Sequence, residues 1–173
     1  MANLQIILDT SPLITLCTFE VGGKLAIEHI MLVADVVIVE TVAAEGTANP
    51  AHSDAAVIEA LLDMKRIAQL PIPSTSLDRV IDAYDKLGQG ERDTIRLGIS
   101  MPDTQIVLDD YLAFVIATRF GIKPVLLLDL LVSLVEEHGL DKQVAGEMVR
   151  KISGRYSTPF VEHTKHKLKG LQG

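Results

Sequence analysis

Short, unbroken apolar runs alternate with amphipathic stretches along most of this 173-residue chain, and no other feature constrains its fold as tightly. LQIIL (4–8), DVVIV (35–39), QIVLD (105–109) and VLLLD (125–129) read as buried strands. A parallel strand covered on both faces needs no polar alternation. Between them lie helical patterns. Ser11–Pro12 offers a cap and a first-turn proline, and TVAAE continues from the second strand. The turn-rich TANPAHSD (47–54) breaks the chain before a helix over 54–68, and PIPS separates that helix from another over 76–88. A helix over 90–100 precedes the third run, and DYLAFVIATRFGI follows it, closing at Gly121. DLLVSLVEEHG and DKQVAGEMVRKIS are the last two helices. Strand–helix alternation of this kind predicts an α/β fold, a three-layer α/β/α sandwich with a mainly parallel central sheet.

Composition narrows the class. A chain of this length makes one domain, or one domain with a short appendage, and can bury a proper core. Its apolar runs are too short to span a bilayer, so no membrane partner is expected. MANLQIILD shows no basic n-region, and a cytoplasmic protein is the simplest expectation. The single Cys17 excludes an internal disulfide and a thiolate metal site, and reads as a small buried side chain. The net charge is −7, yet residues 150–173 hold six Lys or Arg against one acid. That tail reads either as a solvated extension or as an arm that steers an anionic substrate or grips a partner. The apolar helices over 130–150 are compatible with a homodimer.

Four acidic sites carry the chemistry. Asp9 and Asp109 directly follow strand-like runs, Glu45 follows one by a turn of helix, and Glu91 opens a helix. In a parallel α/β sheet, strand ends and helix starts meet at one edge, where crevices form. Carboxylates gathered there repel one another unless a cation joins them. An all-oxygen set suits Mg²⁺ or Mn²⁺, and such an ion neutralises a phosphodiester and activates water. Each acid also has a plainer reading: Asp9 as a turn cap, Glu45 as a solvated helix residue, Glu91 as a first-turn acid favoured by the helix dipole, and Asp110 as an N-cap. Glu40 is expected to face solvent or a structural pair, and Asp93 to face solvent. His163 and His166 lie three apart in the polar tail and are expected to be exposed.

Taken together, LDTSPLI with Asp9, VETVAAE ending in Glu45, GQGE with Glu91 and LDD with Asp109 and Asp110 resemble the motifs of the PIN-domain family, in particular its small prokaryotic VapC-like branch. The resemblance covers about residues 4–130. It places a PIN-like domain over 1–140 and leaves 141–173 as a C-terminal helix and basic tail. It implies a Mg²⁺- or Mn²⁺-dependent endoribonuclease leaving 3′-hydroxyl and 5′-phosphate ends, with RNA as substrate and an antitoxin protein as partner. The catalytic set it implies is Asp9, Glu45, Glu91 and Asp109, with Asp9, Glu91, Asp109 and Asp110 on the metal and Ser11 supporting the first Asp. Val39 stands where the second motif usually has Pro, and YLAFVIAT carries no cation before Arg119. RNA contacts are therefore expected from Arg92 and Arg96 beside the site and from Lys165, Lys167 and Lys169 in the tail.

Other classes fit less well. G-Q-G (88–90) has no preceding strand and lacks the third glycine of a dinucleotide loop. A phosphorylated receiver needs an acidic pair after the first strand, where Asp9 stands alone. The alternative to a ribonuclease is a catalytically silent PIN-like module that binds nucleic acid or protein.

Overall fold

The structure, a computed structural model, describes residues 4–171. Strand β1 (Leu4–Leu8) leads into α1 (Thr10–Thr18), with Pro12 in the helix's first turn. A hairpin of β2 (Glu20–Val21) and β3 (Lys24–Leu25) follows. Its turn residues Gly22 and Gly23 take φ of 58° and 77°, a left-handed pair that strongly favours glycine. Next come α2 (Ala26–Ile30), β4 (Ala34–Val39), α3 (Glu40–Gly46), α4 (Ser53–Asp63), β5 (Ala68–Leu70) and α5 (Asp78–Asp82). The chain continues through α6 (Gln89–Ser100), β6 (Gln105–Val107), α7 (Tyr111–Arg119), α8 (Leu127–Glu137) and α9 (Lys142–Ile152). A single 3-10 turn (Ser153–Arg155) then precedes α10 (Thr158–Gly170).

The four longer strands form one parallel sheet in the order β5-β4-β1-β6. Helices flank it, as the alternation predicts. Ile6, Ile7 and Leu8 of β1 and Val36 to Val39 of β4 are buried, which is why these runs are apolar throughout. Helix α6 packs across β1, β4 and β6. It comes so close that a methyl group added to Gly98 would lie 1.7 Å from Ile106 Cδ1. Because β1 is central, its end delivers Asp9 to the middle of the sheet edge, between the ends of β4 and β6.

Four expectations needed correction. VLLLD does not form a strand: Val125 makes a single parallel bridge to Val107, and α8 begins at Leu127. A continuous apolar run suits a helix buried on most of its surface as well as a strand. The helix expected over 54–68 ends at Asp63, and β5 follows at the sheet edge. Lys65 at φ 54° turns the chain between them. The helix over 76–88 is reduced to α5. The basic tail is α10, whose Val161, Thr164 and Leu168 are buried against α8 and α9. Those two helices spend their apolar residues in the same core, Leu127, Leu131, Met148 and Val149 among them. Among the described residues, no helix is long and apolar enough to cross a membrane.

Candidate active site

A crevice of about 320 Å³ opens at the C-terminal edge of the sheet. Asp9, Thr10, Ser11, Glu45, Glu91 and Arg155 are among its lining residues. Three elements supply the carboxylates. Asp9 sits between β1 and α1, Glu45 in the last turn of α3, and Glu91 in the first turn of α6.

Asp9 is 3% exposed. Burial, together with the charges of Glu91 and Glu45, pushes its carboxyl up to about 7, against the opposing pull of a backbone donor at Thr10 and the Thr94 hydroxyl. Thr94 Oγ1 donates to Asp9 Oδ1 at 3.4 Å, a long contact. Glu45 is held at both oxygens, by Thr10 Oγ1 at 2.5 Å and by the Gly90 backbone N–H at 3.0 Å. Only glycine permits this approach: a methyl group at Gly90 would lie 2.4 Å from Glu45 Oε2. Glu91 accepts from the Gly88 N–H at 2.8 Å, closing the start of α6, and still lines the crevice. Its carboxyl is raised by burial and by the charges of Asp110 and Glu45. Glu91 is thus a helix-start acid whose carboxylate also borders the crevice.

The fourth motif behaves differently. Asp110 is the N-cap of α7, accepting from Ala113 N–H at 2.9 Å, while its charge still reaches Glu91. Asp109 lines an adjoining cleft, not the crevice. One oxygen accepts from the Leu127 N–H at 2.9 Å and the other takes a short hydrogen bond from the Tyr156 hydroxyl. Burial raises the Asp109 carboxyl; these two donors and the nearby Arg155 oppose that rise. Among the described residues, no group of three or more His, Cys, Asp or Glu side chains already stands as a metal-ligating cluster.

The expected cations are placed unevenly. Arg96 is buried and committed to Asp78, Asp82 and Asp93 at 3.1, 2.6 and 2.6 Å, so it has no hand for RNA. Asp93, expected in solvent, is fully buried and also accepts from Thr41 and Gln89. Arg92 is half-buried and donates to Gln89 Oε1 at 3.1 Å. On α10, Lys165 pairs with Glu162 and Lys167 with Asp129, and Lys169 is exposed. His163 and His166 are exposed, and Cys17 is buried with its thiol pushed up to about 12 by burial and the charge of Asp54.

Sequence reasoning missed Arg155, the cation lining the crevice. Its Nη1 donates to Thr15 Oγ1 at 3.1 Å, and its guanidinium lies 5.4 Å from the centroid of the Phe19 ring. No sequence signal joins residues so far apart. Thr94 was missed as well, although its place three residues after Glu91, on the same helical face, is a signal that could have found it.

A family model described as a PIN domain matches residues 5–168, so it takes in α9 and most of α10 as well as the acidic motifs. No curated protein and no solved structure matches the chain. A parallel sheet with acids gathered at its edge, matched over nearly the whole chain, carries one conclusion: this protein belongs to the PIN-domain family, whose fold is of nuclease type.

Proposed function

We propose that the protein is a metal-dependent endoribonuclease with Asp9, Glu45 and Glu91 as its acidic centre. The observation that supports this best is the convergence of three carboxylates, from three separate elements, on one open crevice. Burying Asp9 beside two further acids is costly unless a cation compensates it. The donor set is oxygen only, which fits Mg²⁺ or Mn²⁺. Asp9 and Glu91 would hold the ion, with Asp110 beside Glu91; Asp109, held in the adjoining cleft, is not part of the set proposed.

A divalent ion bound there supplies charge neutralisation for an RNA phosphate and lowers the pKa of a water. The protein's own groups do the rest. Asp9, whose carboxyl burial and the neighbouring acids push up to about 7, would be the acid most relieved by a cation held beside it. Glu45 is fixed by Thr10 and Gly90 and keeps a set negative edge on the crevice, while Glu91 is fixed by Gly88. Preset geometry of this kind lowers the reorganisation needed during reaction. No protein nucleophile is required. In this reading the setting is the cytoplasm, and the motif series supports a toxin held in check by an antitoxin protein. Lys165, Lys167 and Lys169 remain the proposed outer contacts to RNA.

One observation favours a second reading, a silent binding module: Asp109 is turned into the cleft by two donors. The deciding experiment is Mn²⁺-dependent cleavage of a mixed RNA pool by the wild type and by Asp9→Asn. Cleavage to 3′-hydroxyl and 5′-phosphate ends, lost in the variant and in EDTA, supports the nuclease. Cleavage that survives either change, or no cleavage at all, removes it.

A further inference from the structure

The chain is poor in aromatic residues: three Tyr, four Phe and no Trp. Two of each line one cleft of about 450 Å³, namely Tyr111, Phe114, Tyr156 and Phe160. Tyr111 is 82% exposed and Phe160 40% exposed, which leaves two large rings of one cleft open to solvent. Among the described residues, the ring pair is Tyr84 with Phe120, so the cleft's rings do not satisfy one another. The cleft adjoins the acidic crevice. Asp109 and Tyr156 wall it, and the next residue back, Arg155, lines the crevice.

We propose that this cleft is a nucleobase subsite: a base of single-stranded RNA enters between the rings while its phosphate stays at Arg155. This rests on the nuclease reading above. Three features fix the occupant. Every base has a flat π-face, and stacking on aromatic side chains is how proteins commonly hold unpaired RNA. The charged groups lining the cleft are two carboxylates, Asp109 and Asp129, with Ser157 beside them. Both repel a phosphate; Asp109 is held at both oxygens by its own donors, whereas Asp129 meets Lys167 through one oxygen and has the other to accept from a base's N–H groups. The guanidinium of Arg155 is held in place by Thr15 through Nη1 alone, which leaves its other donors for a phosphate at the crevice mouth. A base paired in a duplex could not enter, so the cleft selects single strands.

The test measures equilibrium binding of a fluorescent single-stranded RNA 12-mer, and of a duplex of the same length, to the Asp9→Asn protein over a range of salt. Phe160→Ala and Tyr111→Ala should each weaken single-strand binding about tenfold, from the lost stacking. They should leave duplex binding and the salt slope unchanged, since the rings are neutral. Phe160→Leu should lose as much, and Phe160→Trp should regain it; both control for folding, together with the melting temperature. Arg155→Gln should flatten the single-strand salt slope by about 0.7, one phosphate contact. Equal losses on single strand and duplex overturn the inference, as does full affinity in Phe160→Leu. Unchanged RNA binding in all the ring variants also overturns it and leaves the cleft to a protein side chain. Normal single-strand binding with these losses, but no cleavage by the wild type in Mn²⁺, would sink the nuclease reading and keep the subsite.

Discussion

Asp9 concentrates the electrostatic cost of the site in one carboxyl. Its folded pKa of about 7 lies above the ordinary value of 3.8. Between those pH values the folded state binds the proton more tightly than the unfolded chain does. Stability from this group is therefore present at low pH and lost as pH rises from about 4 to about 7. Each pKa unit corresponds to about 1.4 kcal/mol, so the loss is on the order of 4 kcal/mol at most. Glu91 and Asp109, also raised, act in the same direction. In EDTA the wild type should melt at lower temperature at pH 8 than at pH 5.5. Asp9→Asn, which removes the charge and little volume, should show a flatter dependence and a higher melting temperature at pH 8. A pH dependence identical in the two proteins would mean that Asp9 is ordinarily ionised in the fold.

At the scale of elements, α6 organises both stability and site. Its first turn presents Glu91 and the Gly90 N–H, and its middle buries Asp93 and Arg96. Arg96 joins α6 to α5 through Asp78 and Asp82; against its own burial, its bonds to Asp82, Asp93 and Asp78 raise its already high pKa, while Asp78 is lowered first by Thr75 and then by Arg96. Removing one partner of a buried charge pair costs about 3–5 kcal/mol, because the other is left uncompensated. Arg96→Met should therefore drop the melting temperature sharply. Arg150→Met, which breaks an exposed pair with Glu147, should change it little. Similar small changes in both would show that the Arg96 network is solvated. This buried network was not legible in the sequence. Asp93 lies two residues from Glu91 and so on another face, which suggested solvent; the fold brings Thr41 of α3 to Asp93 and the short α5 to its partner Arg96. The same limit hid the start of α8, since its Leu-rich first turn satisfies a strand and a buried helix equally. The acids were legible because strand ends and helix starts are local features. Asp109 sits at such an end, but its rotation toward Tyr156 depends on a C-terminal contact 47 residues away.

For the whole molecule, the C-terminal segment is part of the fold and also borders the site. Val161 and Leu168 belong to the common core, while Arg155 and Tyr156 wall the crevice and the cleft. Deleting residues 157–173 should destabilise the protein and abolish RNA binding through unfolding, so deletion is a poor probe of charge. Replacing Lys165, Lys167 and Lys169 by Gln should keep the melting temperature within a few degrees and lower the salt slope of RNA binding. An unchanged slope would assign these lysines to solvent and to their partners Glu162 and Asp129. The tail's basic charge was plain in the sequence, but its helical packing was not, because only three buried residues in thirteen mark its inner face. The central claim is that Asp9 and Glu91 share a divalent cation in the crevice that Glu45 edges, and thermal unfolding across a Mn²⁺ titration tests it most directly. An ion at 100 times its dissociation constant stabilises the fold by about 2.7 kcal/mol. The account predicts a saturating rise in the wild type's melting temperature and a much smaller rise in Asp9→Asn. An equal rise in both proteins, or none in the wild type, would contradict it.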